Sequence, residues 1–179
     1  MLDLDRYQNI TSYQKHKLVF FAVPKCCGTA VKASLLNQEI LDSSSLRYDY
    51  VYNHPDALYV TKQYVTEQLV KDAYLPFSVI RHPYIRFASL YKHFVLRDPD
   101  RISELHPDLT PCSIDYFCDY LFDNTDNLTC NHHMKSISSF LMDKNNVNIP
   151  DIVFNLDEEY ETLIAVSYTH LTLPTTPYV

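Results

Sequence analysis

The sequence predicts an α/β fold in which helices flank a mainly parallel central sheet. Three short apolar runs, at 18–23, 77–80 and 152–156, are rich in β-branched or aromatic residues, as buried strands are. Segments whose apolar residues recur at helical spacing separate these runs. Strands that alternate with helices are typical of a parallel sheet covered by helices.

The first strand, LVFFAV at 18–23, leads directly into a helix. A tight loop is predicted at 24–28 and a helix at 30–41, whose apolar residues fall on one face. The polar and then aromatic stretch 42–53 predicts a loop that leads into a short edge element. The later helices are predicted at 60–73, 84–96, 113–122, 132–142 and 157–165, with an exposed loop at 96–111.

The length of 179 residues predicts one domain, which we assign to residues 1–165. Residues 166–179 have no helical period and contain two prolines. This tail resembles translated read-through of a sequencing adapter. We therefore expect it to be non-native, and we expect the natural chain to continue differently after about residue 165, so that this sequence is truncated there.

Composition excludes several classes of protein. The hydrophobic fraction of 46% and charged fraction of 21% are those of a globular chain, which argues against disorder. The net charge of −7 argues against a general nucleic-acid binder. No apolar run reaches the length of a membrane span and the first 17 residues lack a signal-peptide core, so we expect a cytoplasmic protein. Oligomeric state is not predicted.

Glycine and cysteine exclude specific sites. The chain has 1 glycine, whereas GxGxxG needs three and GxxxxGK[ST] needs two. The five cysteines are an odd number and do not predict a disulfide framework. Cys130 with His132 and His133 suggests zinc, but no CxxC accompanies them, so we expect no metal.

The loop after the first strand has the features of a phosphate site. A helix N-terminus presents backbone N–H groups and a partial positive charge to an anion. Lys25 adds a mobile cation and Thr29 a hydroxyl, while the small residues at 26–30 permit close approach. A capped turn with a surface lysine is the equally weighted alternative for this segment alone.

The second apolar run ends in Arg81, and Ser89 lies eight residues later in the next predicted helix. Ligands bind at the carboxyl ends of parallel strands. Both side chains can face one anion if the chain turns at His82 and Pro83. Arg86 and Lys92 are predicted to lie on a solvated helix face.

Two motifs together resemble one family. PKCCGTAVK (24–32) resembles the PKxGGTS or PKxAGTS loop of sulfotransferases that use 3′-phosphoadenosine 5′-phosphosulfate (PAPS). FSVIRHPYIRFASLY (77–91) resembles their FxxxRxPYxRxxSxY motif. The likeness covers roughly residues 15–165 and is nearest to the carbohydrate-type sulfotransferase family 2, including its soluble bacterial members. It implies a P-loop-like, three-layer fold.

The resemblance implies a role for each motif. Lys25 is expected to contact the 5′-phosphosulfate and to stabilise the leaving phosphate, whereas Arg81 and Ser89 are expected to bind the 3′-phosphate. The expected donor-binding residues are Lys25, Cys26, Cys27, Gly28, Thr29, Ala30, Arg81 and Ser89. The implied reaction transfers a sulfuryl group in line to a hydroxyl or amine of an acceptor, which we expect to be a carbohydrate.

Three positions depart from the family pattern. Cys27 stands where the family has Gly or Ala, and Ala30 stands where it has Ser. The histidine of an H-x-T motif upstream of the second strand appears as Tyr59. We therefore take His54 as the candidate general base, because histidine is the side chain that most often serves in this role, and Tyr59, His132 and His133 as alternatives.

Two other functions are compatible with these observations. A catalytically inactive relative that binds PAPS or 3′,5′-ADP would explain the missing histidine. A P-loop small-molecule kinase is disfavoured by the single glycine and by the Arg81 and Ser89 pair.

Overall fold

Five strands form one sheet in the order β3-β1-β2-β4-β5. The structure is a computed structural model that describes residues 9–36, 54–65, 67, 71–97, 113–124, 131–143, 145–159 and 161. The strands are β1 (Ile10–Tyr13), β2 (Leu18–Ala22), β3 (Ala57–Tyr59), β4 (Leu75–Ile80) and β5 (Ile152–Asn155). β2, β4 and β5 are parallel, whereas β1 is antiparallel to both β2 and β3. The sheet is therefore parallel at its centre, as predicted.

The described α-helices are α1 (Gly28–Leu35), α2 (Lys62–Tyr64), α3 (Pro83–Tyr91), α4 (Ile114–Asn124) and α5 (Ile137–Leu141). A π-helix, Lys92–Arg97, continues α3. The predicted helix at 132–142 is divided into a 3-10 turn, His132–Met134, and α5. The predicted helices at 60–73 and 157–165 lie partly outside the described residues, and residues 71–73 form a turn. The tail at 166–179 and the stretch at 42–53 lie wholly outside them.

β1 was not predicted because its sequence, ITSY, has no apolar alternation. Its two central polar residues, Thr11 and Ser12, are nevertheless buried. The hairpin to β2 turns through Gln14–His16 and ends at Lys17, which has a φ of 53°. β3 is the outermost strand of the sheet, beside β1, and the sequence predicted a short edge element in this part of the chain.

Helices cover both faces of the sheet. Phe20 and Phe77 stack with ring centroids 5.1 Å apart on the face that packs against α1. Val19 and Phe21 point to the opposite face, where α5 contributes Phe140 and Leu141. The three layers are thus α1, the sheet, and α5. The P-loop-like assignment stays a prediction.

The register of β2 with β4 positions the ends of both strands. Ala22 pairs with Val79, so the loop after β2 and the residues after β4 leave the same edge of the sheet. A third cluster, Leu90, Phe94, Phe117 and Met134, packs α3 against α4 outside the two sheet faces. Within the described residues, no helix has the length and apolar character needed to cross a membrane.

Candidate functional site

The loop between β2 and α1 is held in an uncommon backbone conformation. Lys25 has a φ of 66° and Cys27 a φ of 59°, both in the left-handed region. The Cys26 amide donates to the Val23 carbonyl (3.2 Å), and the first helical bond runs from Val31 N to Cys27 O (3.1 Å). The helix therefore begins at Gly28 with Cys27 as its N-cap, not at Thr29 or Ala30 as predicted. The amides of residues 28–30 precede the helical ladder and lie at the positive end of α1.

Gly28, the only glycine of the chain, does not have the left-handed φ that favours glycine. A Cβ at Gly28 would lie 3.5 Å from the Ala22 Cβ, which is an ordinary contact. Cys27 instead carries the left-handed φ, at the cost of roughly 1–2 kcal/mol that an L-residue incurs there. Cys27, which stands where the family has Gly or Ala, is therefore a strained position.

Lys25 lies near one other cation, Arg97, among the charges that affect its pKa. Its side chain is half-buried, and burial together with the nearby charge of Arg97 holds its pKa below the usual value. Arg97 is the last residue of the π-helix. Sequence reasoning missed Arg97, because the predicted helix stopped at residue 96 and no spacing rule joins Arg97 to Lys25.

Arg81 lies where β4 ends, with its side chain 24% exposed. Its Nε is 3.6 Å from Asp157 Oδ1 and is buried without a hydrogen-bond partner among the described residues. Asp157 Oδ2 instead accepts the backbone N–H of His82 at 2.7 Å. Asp157 follows β5 closely, so the ends of both strands meet at this guanidinium. Ser89 is half-buried two turns into α3.

Cys26 joins the two segments by its side chain. Its thiol is 1% exposed and lies close to Arg86 and to the backbone N–H of Arg81. Burial raises the pKa of the Cys26 thiol, and these positive groups oppose that rise. Because the thiol is buried, Cys26 can offer an anion only its backbone. Thr29 is half-buried and Ala30 is exposed on the first turn of α1.

Arg86 is buried, so its predicted place on a solvated face is wrong. Its Nε donates to the Pro24 carbonyl (3.1 Å), and its Nη2 donates to the carbonyls of His133 (3.1 Å) and Lys135 (2.7 Å). One guanidinium thereby connects the start of the loop between β2 and α1 to residues 133–135. The helical spacing placed Arg86 beside exposed residues and gave no signal for these carbonyls. Lys92 is exposed, as predicted.

His54 is not brought to the loop. Ala57, the first residue of β3, is level with Tyr13 and Leu18, so His54 precedes β3 at the opposite edge of the sheet. The length of β2 alone separates the two edges by about 13 Å. His54 Nδ1 accepts the Asp56 N–H at 3.1 Å.

Tyr59 ends β3 and faces an unpredicted partner. Lys32 of α1 is 1% exposed, and its Nζ lies 5.0 Å from the centre of the Tyr59 ring. Burial lowers the pKa of Lys32 to about 8. Thr61, two residues later, caps α2 by accepting the Tyr64 N–H at 3.1 Å. Lys32 gave no sequence signal beyond its place in PKCCGTAVK.

Three histidines gather beside the Arg86 contacts. The rings of His132 and His133 are 3.9 Å apart, and His93 of the π-helix is 5.7 Å from His133. Burial and Lys135 lower the pKa of His132. In the described part of the chain, no three His, Cys, Asp or Glu side chains are placed to hold a metal ion. Cys130 lies outside that part.

This edge of the sheet can therefore bind an extended anion. A helix N-terminus with Lys25 stands beside β2, and Arg81 stands beside β4, one strand spacing away. The Nε of Arg81 pairs with Asp157 at 3.6 Å but makes no hydrogen bond among the described residues, so a phosphate oxygen would give it a charge-assisted bond.

Comparison with known proteins gives one family match. A family model described as "Sulfotransferase family" matches residues 8–168. Searches of curated proteins and of solved structures returned no match.

We predict that Cys27→Gly stabilises the protein by about 1 kcal/mol, since glycine adopts a left-handed φ without the steric cost. The thermal midpoint should rise by roughly 2–4 °C for a chain of this size. Calorimetry of Cys27→Ala is the control, because alanine removes the thiol and keeps the strain. An equal gain in both variants would contradict the assignment of strain.

We predict that the free energy of unfolding rises between about pH 8 and 10.5 because of Lys32. In this window Lys32 is neutral when folded and protonated when unfolded, so the unfolded state binds more protons. The rise amounts to at most roughly 3 kcal/mol. Urea titrations across this window should show the rise in the wild type and its loss in Lys32→Met. Parallel curves for the two proteins would refute the prediction.

Proposed function

The chain belongs to the sulfotransferase family, and on that basis we propose that it transfers a sulfuryl group from PAPS to a hydroxyl or amine of a carbohydrate acceptor. The observation that carries the proposal is the pairing of two cationic positions at adjacent strand ends. Lys25 follows β2 and Arg81 follows β4, and these strands are parallel neighbours. A donor with phosphate groups on both its 5′ and 3′ oxygens has the charges that two such positions would bind.

The donor supplies an activated sulfuryl group, and this chain's residues hold it and balance its charge. We assign the 5′-phosphosulfate to Lys25 and the backbone N–H groups at 27–30, with the Thr29 hydroxyl. We assign the 3′-phosphate to Arg81 and Ser89. The assignment of Arg81 is supported by its Nε, which is buried and makes no hydrogen bond among the described residues.

Lys25 would act mainly on the transition state. As the bond from sulfur to the bridging oxygen breaks, negative charge grows on that oxygen. A lysine at a helix N-terminus meets this charge as it develops, and only interactions that strengthen in the transition state raise turnover. The nearby charge of Arg97 strengthens the positive potential there. Catalysis would rest on positioning and electrostatics, by analogy with phosphoryl transfer.

A second candidate is an inactive relative that binds 3′,5′-ADP or PAPS. It is favoured by the place of His54, which lies at the edge of the sheet opposite the loop. Tyr59, at the position of the expected H-x-T histidine, gives this candidate the same support. Binding of 3′,5′-ADP without any consumption of PAPS would identify such a protein.

We predict that Lys25→Ala and Arg81→Ala affect different steps. Lys25→Ala should lower turnover by roughly 10²–10³, the usual effect of losing an oxyanion donor, and should change affinity for 3′,5′-ADP far less. Arg81→Ala should weaken 3′,5′-ADP binding by about 10-fold to 100-fold, the loss of a bond to a charged group. The measurements are turnover at saturating PAPS and calorimetric affinity for 3′,5′-ADP.

Lys15→Ala is the matched control, because Lys15 is an exposed lysine in the turn at the opposite edge of the sheet. It should leave both quantities unchanged. If Lys25→Ala keeps full turnover at saturating PAPS, Lys25 only binds the donor and the mechanism is wrong.

A further inference from the structure

His133 is held by Asn131 in a defined tautomer. The backbone N–H of His133 donates to Asn131 Oδ1 at 3.0 Å, which identifies that amide atom as the oxygen. The same Oδ1 is 3.0 Å from His133 Nδ1. An amide oxygen only accepts, so Nδ1 of the neutral ring carries the hydrogen and Nε2 carries the lone pair.

Two other histidines with a defined Nδ1 contact have the opposite tautomer. His54 Nδ1 accepts the Asp56 N–H at 3.1 Å, and His82 Nδ1 accepts the Tyr84 N–H at 3.4 Å. Their neutral rings therefore carry the hydrogen on Nε2, and that nitrogen cannot accept a second proton from a substrate. Of these three rings, only that of His133 carries its lone pair on Nε2.

The backbone carbonyl of His133 also lies near the loop that carries Lys25. The Arg86 guanidinium bonds to both the Pro24 and His133 carbonyls. Because a guanidinium is small and planar, these two oxygens are within roughly 9 Å of each other. From the other side, the His133 ring packs against His93, which lies on the π-helix that ends at Arg97.

The ring of His133 is surrounded by histidines and an aromatic ring. His132 lies next to it, and His93 and Phe94 pack on it from the π-helix. Arg86 and the buried Lys135 are the cations on the adjoining segments.

We propose that His133 is the general base of the transfer and that Asn131 is its positioning residue. This inference rests on the proposed function. The acceptor oxygen or nitrogen forms a bond to sulfur while the bond from sulfur to the 5′-phosphate oxygen breaks. The electron pair of the broken bond leaves on that phosphate oxygen, giving 3′,5′-ADP. The acceptor's proton moves to His133 Nε2, which later releases it to solvent.

The first test is His133→Gln in the full chain, with turnover and 3′,5′-ADP affinity measured together. General base catalysis contributes about 10²–10⁴, so turnover should fall by that factor while affinity stays within about twofold. His16→Gln, a histidine in the turn at the opposite edge of the sheet, is the matched control and should change neither. Full turnover in His133→Gln, or a comparable loss in His54→Gln alone, would overturn the assignment.

The second test separates positioning from structure. Asn131→Ala should lower turnover, since the ring is no longer held in its tautomer. Asn131→Asp should restore turnover, because a carboxylate also accepts the Nδ1 hydrogen. The carboxylate stabilises the imidazolium as well, so the acidic limb of the pH–rate profile should move to higher pH. Equal turnover and an unmoved limb in both variants would show that Asn131 has only a structural role.

The third test does not depend on turnover. Nitrogen-15 NMR of the wild type above the titration range should show His133 protonated at Nδ1. A ring protonated at Nε2 would overturn the inference even in an active enzyme. Conversely, a wild type that has the expected tautomer but binds no 3′,5′-ADP would refute the proposed function, and the inference would fall with it.

Discussion

The parallel pairing of β2 with β4 is the constraint on which the site depends. Ala22 opposite Val79 sends two connections out of the same edge of the sheet. One becomes the loop with Lys25 and the N-terminus of α1, and the other carries Arg81 into α3. The pairing is buried on both faces, with Phe20 stacked on Phe77, so the separation of the two cationic positions is fixed by the core. Ser78 Oγ adds a buried bond of 2.7 Å to the Phe21 carbonyl across the same pair.

Arg86 connects the loop after β2 to residues 133–135. Burying a guanidinium is costly unless its donors are satisfied, and here two of its nitrogens reach three backbone carbonyls. Those carbonyls belong to the loop and to residues 133–135, segments more than 100 positions apart in the chain. The strained φ values at Lys25 and Cys27 persist because the surrounding contacts determine the loop. The same contacts hold the backbone of His133 near the loop.

The sequence predicted the three parallel strands of the sheet and missed the antiparallel strand β1. The apolar runs gave β2, β4 and β5, because strands buried on both faces are almost continuously apolar. The strand β1 was not predicted, because its polar residues are buried and a hydrophobic pattern cannot show this. The loop and Arg81 carried recognisable motifs, so their common edge could be predicted. The roles of Arg86, Arg97 and Lys32 depend on contacts between distant segments, whereas Asn131 contacts His133, two residues further along. The sequence placed His54 five residues before Tyr59, but it could not show that the pairing of β3 puts His54 at the end of the sheet opposite the loop.

The central claim is that the loop and Arg81 bind one nucleotide through two separate phosphates. Its most direct test is calorimetric titration of the wild type with 3′,5′-ADP and with 5′-AMP, repeated on Arg81→Ala. The wild type should bind 3′,5′-ADP about 10-fold to 100-fold more tightly, the effect of one bond to a charged group. In Arg81→Ala this preference should largely disappear. Equal affinity of the wild type for the two nucleotides would contradict the claim.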